Sequence, residues 1–291
     1  MRTFVRIAVT LFIVFGLSSA AAGQSHPSFS VTVTGRGPAI VLIPGLLSTG
    51  EVWSSTVERY QKQYSLHTVT LAGFGGPPPI GSPFLSRVRD ELIAYMRDQK
   101  MQKPIVIGHS LGGFLAFWIA ATAPDLVGGV IAVDGVPYLP ALGNPAATPE
   151  TAAAMAKQVQ TIYASLSQEQ LIAQSRMAMT TMMTAPADVD RAMAWVARSD
   201  AATAGRAVAE MMLTDVRPEV AKITAPALLI GALGSAPEPM RPTLEEAYRA
   251  QVAQLPASTV KMAATRHFIM LDDPSFLFAA IDEFLASLPT R

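Results

Sequence analysis

The chain of 291 residues contains no cysteine. Disulfide bonds, thiolate metal sites, a cysteine nucleophile and a lipid-modified N-terminal cysteine are therefore excluded. Charged residues make up only 15% of the sequence, and 22 basic residues balance 22 acidic ones. Because no net charge or run of like charges attracts nucleic acid, we expect no nucleic-acid partner. The sequence also lacks a cluster of metal ligands and a phosphate-binding glycine loop beside a lysine, so we expect neither a metal nor a cofactor.

Residues 1–22 have the pattern of a signal peptide. Two arginines precede an apolar run from Ile7 to Leu17, and small serine and alanine residues follow. The apolar run is short for a permanent membrane helix, and an uncleaved N-terminal anchor is the alternative. Cleavage near Ala22 would give a periplasmic or secreted protein with no stable membrane insertion.

After this segment, apolar strands alternate with helices, which indicates a mostly parallel sheet covered on both faces. Between about 138 and 214 no strand is apparent, and the composition favours helices. We therefore predict one α/β core formed by 23–137 and 215–291, with a helical cap, or lid, inserted at 138–214. The predicted strands are 30–34, 39–43, 67–71, 104–108, 127–133, 227–230 and 259–262. The predicted helices are 52–63, 84–98, 111–122, 152–165, 168–183, 243–255 and 276–288.

The strongest local signal is the segment Gly108-His109-Ser110-Leu111-Gly112. It joins a predicted strand to a predicted helix, which is the setting of a nucleophile elbow that exposes a serine hydroxyl above the sheet. Glycines are needed two residues to either side of the serine because side chains there would clash with the neighbouring strand and helix. The pattern and its context predict Ser110 as a nucleophile, and a structural Gly-Ser turn is the alternative.

A serine nucleophile needs a base, and the chain has four histidines. His26 lies just after the leader, His67 begins an early strand, and His109 is held within the elbow itself. His267 lies in the loop between the last predicted strand and the last helix. By elimination, His267 is the predicted base.

These features resemble the α/β-hydrolase superfamily, in particular its esterase, lipase and C–C hydrolase members with a lid. The likeness covers nearly the whole chain after the leader and implies the α/β-hydrolase fold with the chain order Ser, acid, His. It is carried by the elbow, the Pro44-Gly45-Leu46 turn with Trp53 downstream, the loop Thr70–Gly75, and Arg266-His267-Phe268.

The resemblance also implies how the substrate is held. In many members a histidine stands where this chain has Pro44, but an oxyanion hole needs only backbone N–H groups at that turn. The N–H groups of Leu46 and Leu111 are the predicted pair. Gly45, Trp53 and His109 are predicted to contact substrate.

The acid of the triad departs from the usual pattern. The family usually has an aspartate shortly after the strand placed at 227–230, where this chain has Gly234. Asp134 follows the strand after the nucleophile helix, and its strand ends on the same edge of the sheet as the elbow. We predict Asp134 as the acid that orients His267. Glu238, in a loop flanked by prolines, is the rival acid, and an incomplete triad is the third possibility.

Together these features predict an exported serine hydrolase that cleaves carboxylic ester bonds of small, uncharged, moderately apolar substrates. A lactonase, an amidase or aminopeptidase, and a C–C bond hydrolase could use the same triad. For an aminopeptidase, Glu150, Glu169, Asp188 and Asp190 are the acidic candidates in the insertion. A non-catalytic ligand-binding protein on a hydrolase scaffold is the alternative from another class. The insertion is rich in methionine, which we expect mainly to pack its helices together.

Overall fold

The computed structural model describes residues 26–289, and strands from this range form one seven-stranded sheet. The strand order is β1-β3-β2-β4-β5-β6-β7; β1 pairs with β3 in antiparallel fashion, and every other pair is parallel. This confirms the predicted mostly parallel sheet. The predicted signal peptide, residues 1–22, lies outside the described residues. The strands are β1 Phe29–Thr34, β2 Ala39–Ile43, β3 Ser65–Leu71, β4 Ile105–His109, β5 Gly129–Val133, β6 Ala227–Ala232 and β7 Ser258–Ala263.

The central strands are buried on both faces, as their continuous apolar sequences require. Every residue of β4 and β5 is buried, and so are Ile40–Ile43 of β2. The antiparallel strand β1 lies at the edge of the sheet, where most of its residues are partly or fully exposed. The most thoroughly buried strands therefore lie at the centre of the sheet, and they include the strand that leads into Ser110.

Helices cover the sheet, and several begin or end a few residues from the predicted limits. The predicted helix 52–63 is a 3-10 turn at Gly50–Trp53 followed by a shorter α-helix. Helix α3 is buried along almost its whole length, since it packs against both β4 and β5. The helices outside residues 138–214 are α1 Ser54–Tyr60, α2 Leu85–Asp98, α3 Leu111–Thr122, α9 Arg241–Gln251, α10 Ile269–Asp272 and α11 Pro274–Ser287.

Five helices lie between β5 and β6, in the stretch 138–214 that we call the insertion. Reciprocal capping boxes at Thr148 and Ser167 begin two of them, because each hydroxyl accepts the N–H three residues later. Helix α5 packs on α8, and α6 packs on α7. These helices are α4 Pro140–Gly143, α5 Pro149–Ser165, α6 Gln168–Met182, α7 Pro186–Val196 and α8 Ala201–Leu213. The division of the chain into core and lid stays a prediction.

Polar contacts tie the insertion to the rest of the chain. The carboxylate of Glu210 accepts hydrogen bonds from the N–H groups of Phe84 and Leu85, at 2.8 and 2.7 Å, and so caps the start of α2. The indole N–H of Trp195 donates to Glu51 at 2.9 Å. Backbone hydrogen bonds contribute as well, since the N–H of Asp200 donates to the carbonyl of Gly73 at 2.7 Å and the N–H of Phe268 donates to that of Met182 at 3.3 Å.

No helix within residues 26–289 combines the length and the apolar character needed to cross a membrane. In the same range no group of three or more His, Asp or Glu side chains is arranged to hold a metal ion.

Candidate active site

Ser110 occupies a sharp turn between β4 and α3. Its backbone has a φ of +54°, a value that residues other than glycine rarely adopt. The turn is possible because backbone segments approach each other directly. A Cβ on Gly108 would overlap the carbonyl of Gly112, and a Cβ on Gly112 would lie 2.7 Å from the carbonyl oxygen of Pro44. Both glycines of the elbow are therefore required by close backbone contact, for the reason expected from the sequence.

Backbone hydrogen bonds join the elbow to the end of β5. The N–H of Ser110 donates to the carbonyl of Val133 at 2.9 Å. A Cβ on Gly135 would lie 2.8 Å from the Cα of Gly113, so the loop after β5 runs directly against the start of α3. Asp134, between these two contacts, has a φ of +48°. The same close packing that bends the serine turn thus directs Asp134 out of the sheet.

The structure brings Asp134 and His267 together. The Nδ1 of His267 lies 2.5 Å from the Oδ2 of Asp134, and the carboxylate is 8% exposed. The other carboxylate oxygen accepts the N–H of Ala232 at 2.9 Å and the hydroxyl of Tyr248. With its proton on Nδ1, His267 keeps a lone pair on Nε2, which is the tautomer that a general base requires.

The rival acid, Glu238, lies in an exposed 3-10 turn at Glu238–Met240 and has no hydrogen bond to His267. Gly234, at the usual position of the family's acid, donates its N–H to the carbonyl of Thr265. A Cβ there would lie 2.5 Å from that carbonyl oxygen and 2.7 Å from the carbonyl oxygen of Ala264. An aspartate at 234 would thus displace the backbone that leads to His267.

His109 contacts His267, the predicted base, from the interior of the protein. It is fully buried, and its Nε2 donates to the backbone carbonyl of His267 at 3.1 Å. The two imidazole rings lie 4.6 Å apart. Burial, reinforced by the neighbouring His267, holds the pKa of His109 well below its usual value, so the ring is neutral. This position does not support the predicted substrate contact; His109 instead holds the backbone of the base.

The two residues predicted to form the oxyanion hole, Leu46 and Leu111, lie in the turn after β2 and at the start of α3. Within residues 26–289, neither the N–H of Leu46 nor that of Leu111 donates to another group. Leu111 begins α3, where N–H groups point out of the helix, and Leu46 is partly exposed. Neither residue lines the cavity that contains Ser110, and the role of these amides in binding an oxyanion stays a prediction.

The other two predicted substrate contacts differ from each other. A Cβ on Gly45 would lie 3.1 Å from the Cβ of Ser110 and 2.9 Å from the Nδ1 of His109, so this glycine lets the turn pass close to the serine. Trp53 is fully buried in the core and does not line the cavity that contains Ser110. Its placement does not support substrate binding, because no part of its side chain reaches the solvent or the cavity.

Ser110 and His267 open into one cavity of about 140 Å³. Its walls are otherwise mostly apolar and come from both the core and the insertion. Of the methionines in the insertion, only Met211 lines this cavity; several others are buried between helices, and Met155 and Met177 are exposed. The lining residues are Ser110, Phe114, Asp134, Gly135, Val136, Leu139, Leu142, Met211, Tyr248 and His267.

Sequence reasoning missed Tyr248, which lies on α9 and is 4% exposed. Its hydroxyl donates to Asp134, more than a hundred residues earlier in the chain. No motif marks this tyrosine, because an aromatic residue on the apolar face of an amphipathic helix is usually core. Only the packing of α9 against β6 shows its contact with the carboxylate.

The comparisons with known proteins agree with the fold. The model of the alpha/beta hydrolase family matches residues 40–281. The chain therefore belongs to the alpha/beta hydrolase family, which confirms the resemblance noted in the sequence.

Among curated relatives, the pimeloyl-[acyl-carrier protein] methyl ester esterase of Aliivibrio salmonicida is 40% identical over 103 residues, covering 35% of this chain and 38% of the relative. The esterase of the same name from Aeromonas salmonicida is 36% identical over 111 residues, covering 38% of this chain and 42% of the relative. The match thus spans about two fifths of the length of these relatives.

Among solved structures, the enol-lactonase of Burkholderia xenovorans LB400 aligns with a TM-score of 0.71 and 18% identity, covering 89% of this chain and 96% of that one. A thermophilic esterase of Thermogutta terrifontis aligns with a TM-score of 0.68 and 18% identity, covering 90% of this chain and 94% of that one. At this identity the likeness shows a shared fold.

Proposed function

We propose that this protein is an exported serine hydrolase that cleaves carboxylic ester bonds of uncharged, moderately apolar substrates. One observation carries the proposal. Ser110, on a nucleophile elbow, shares a cavity with His267, whose Nδ1 is bound to the buried carboxylate of Asp134.

In the proposed reaction, the Oγ of Ser110 attacks the ester carbonyl while the Nε2 of His267 takes the hydroxyl proton. The N–H groups of Leu46 and Leu111 stabilise the tetrahedral oxyanion. His267 then gives its proton to the departing alcohol and leaves an acyl group on Ser110. Water, activated by the same histidine, hydrolyses that acyl-enzyme and restores the serine. The carboxylate of Asp134 stabilises the imidazolium in both halves of the reaction.

The lining of the cavity supports an apolar and modest acyl group. Phe114, Val136, Leu139, Leu142 and Met211 provide only hydrocarbon or thioether surface. A volume of about 140 Å³ is well below the roughly 300–1,000 Å³ of typical ligand pockets. The name of the curated relatives, methyl ester esterase, also describes cleavage of a carboxylic ester.

The cavity does not favour an aminopeptidase. Among the described residues that line it, the only carboxylate is Asp134, which is bound to His267. Glu150, Glu169, Asp188 and Asp190 do not line it, and the last two pair with Arg191 and Arg176. A substrate ammonium group would therefore lack an acidic partner.

The test combines active-site labelling with turnover. The protein is incubated with a fluorophosphonate probe and with p-nitrophenyl esters of rising chain length, alongside the Ser110→Ala variant. We expect labelling that maps to Ser110, disappears in the variant, and accompanies turnover that falls beyond short acyl chains. Lactone and anilide substrates run in parallel identify a preference for another bond. Ligand binding without labelling would show a binding protein and overturn the proposal.

Export is tested separately. The full-length chain is expressed in a Gram-negative host, and the N-terminus of the protein recovered from the periplasm is sequenced. Support comes from the arginines and the apolar run of residues 1–22. We expect a mature chain that begins near Gly23. A full-length chain confined to the cytosol or retained in the membrane would contradict the proposal.

A further inference from the structure

Tyr248 lines the cavity that contains Ser110, and its hydroxyl is bound to the predicted acid, Asp134. The carboxylate of Asp134 divides its bonds between its two oxygens: Oδ2 binds His267, and Oδ1 accepts the N–H of Ala232 and the hydroxyl of Tyr248. The tyrosine thus binds the oxygen that the base leaves free.

We propose that Tyr248 is a positioning residue that fixes the orientation and the charge of Asp134, and through it the activity of His267. This inference rests on the proposed hydrolase function. Without the tyrosine, the N–H of Ala232 is the single bond that holds Oδ1 while Oδ2 faces His267. A second donor on the same oxygen determines which oxygen faces the histidine.

The packing around Tyr248 is specific to this arrangement. A Cβ on Gly231 would lie 2.9 Å from both Cγ and Cδ2 of the tyrosine ring, so the ring needs a glycine in β6 beneath it. Gly234, further along the same chain segment, leaves no room for an acid at the usual place. The two glycines therefore accompany the relocation of the acid: one excludes it from 234, and the other admits the tyrosine that holds it at 134.

The hydroxyl of Tyr248 stays protonated across the working pH range. Burial raises its pKa, and the neighbouring charge of Asp134 raises it further. The other titratable groups nearby are His267, bound to the carboxylate, and His109, which burial keeps neutral. Any change of pH profile in a tyrosine variant therefore reports on the Asp134–His267 pair.

Removing the hydroxyl has a predictable electronic effect. Donation from Tyr248 draws negative charge onto Oδ1 and away from the oxygen that faces His267. Without it, Oδ2 stabilises the imidazolium more strongly, so the base loses its proton only at higher pH. The carboxylate is also free to turn, which lowers the fraction of enzyme with a correctly oriented base.

The test compares Tyr248→Phe with Tyr60→Phe. Tyr60 is the matched control because it is also buried and its hydroxyl also donates to a carboxylate, Asp282, at 2.7 Å, outside the cavity. Both variants are assayed with a short p-nitrophenyl ester across pH. In Tyr248→Phe we expect kcat to fall about tenfold with KM within about twofold of wild type. We expect the acid limb of kcat/KM to move up by roughly 0.5 to 1 pH unit. Tyr60→Phe should match wild type in both.

Two further readouts separate positioning from simple packing. The downfield proton resonance of His267 Nδ1–H should move in Tyr248→Phe and stay in place in Tyr60→Phe. Gly231→Ala, which pushes the ring aside, should move the acid limb of kcat/KM in the same direction but by less. The double variant Gly231→Ala/Tyr248→Phe should have nearly the same pH profile as Tyr248→Phe alone. Thermal unfolding is measured for every variant, so that a folding defect is recognised.

The outcomes are distinct from those of the proposed function. Absence of labelling and turnover in the wild-type protein would contradict the hydrolase itself. With an active wild type, a Tyr248→Phe variant that matches Tyr60→Phe in rate, pH limb and resonance would overturn the positioning role. A fall in kcat without any shift of the limb or the resonance would overturn it too, since that pattern indicates lost packing alone.

Discussion

The serine turn and the helical insertion are constructed in contrasting ways. In the turn, glycines bring backbone segments into direct contact, and Ser110 and Asp134 both adopt positive φ angles. The insertion is held by side chains such as Glu210 and Trp195 together with isolated backbone hydrogen bonds, and its helix α5 buries only Ala152 and Ala156. The comparison indicates that the reacting groups depend on rigid backbone packing, whereas the cavity wall formed by the insertion can vary by side-chain replacement.

The largest effect is expected within the rigid region, at the acid. Asp134→Asn should lower kcat/KM by roughly 10³–10⁴-fold, because an amide no longer fixes the tautomer of His267. Glu238→Gln, in an exposed turn, should stay within about twofold of wild type. Steady-state hydrolysis of a short p-nitrophenyl ester measures both. A large loss confined to the Glu238 variant would reverse the assignment of the acid.

The next effect concerns backbone packing. Gly108→Ala places a Cβ on the carbonyl of Gly112 and should lower the free energy of unfolding by about 3 kcal/mol or more. Gly143→Ala, in the insertion, meets no atom within 4 Å and should change it by less than about 0.5 kcal/mol. Urea unfolding of the two variants measures the contrast. Equal stabilities would show that the turn relaxes more easily than its contacts indicate.

A smaller effect is expected where the insertion meets the core. Glu210→Gln should lower the free energy of unfolding by about 1–2 kcal/mol, because a neutral amide caps the two N–H groups at the start of α2 less well than a carboxylate. The matched control is Glu169→Gln, an exposed acid in the first turn of α6. Urea unfolding gives the stability, and limited proteolysis shows whether the insertion loosens. If neither the stability nor the proteolysis changes in either variant, the other contacts of α7 and α8 are enough to hold the insertion on the core.

The last effect, a pH dependence of stability, requires no substitution. Because the folded protein holds the pKa of His109 well below 6.5, the unfolded chain takes up a proton more readily. Stability should therefore fall as pH decreases below about 6.5, by at most about 1.4 kcal/mol per pH unit from this group. Burial also lowers the pKa of His67, which acts in the same direction.

The variants His109→Gln and His67→Gln separate the two contributions. A glutamine at 109 can still donate an N–H toward the carbonyl of His267 but does not titrate. Urea unfolding between pH 7 and 5 should show a reduced slope in each variant. If His109→Gln shows the same dependence of unfolding free energy on pH as wild type, that dependence comes from His67 and the carboxylates.

The sequence by itself determined the seven strands, most of the helices outside the insertion, the parallel character of the sheet and the elbow around Ser110, but not the separate helices α4, α7, α8 and α10. These features follow from local rules: continuous apolar strands need burial on both faces, and a sharp strand-to-helix turn needs glycine. The elbow, His267 and Asp134 could all be proposed from sequence, because the carboxyl ends of parallel strands meet at one edge of the sheet. The limits of helices such as α1 and α9 were less accurate, since caps and turns shift them by a few residues.

The tertiary structure decided what depends on contacts between distant segments. It placed Asp134 on His267 and Glu238 in an exposed turn, and it put Gly234 against the backbone of Thr265, where a side chain would clash. It also showed that His109 and Trp53 are buried in the interior and that Tyr248 contacts the carboxylate of Asp134. No local pattern encodes these relations, since each depends on how closely two elements pack and which atoms then meet. The physical reason is that a sequence specifies backbone preferences locally, whereas the partner of a buried polar atom is selected by the whole fold.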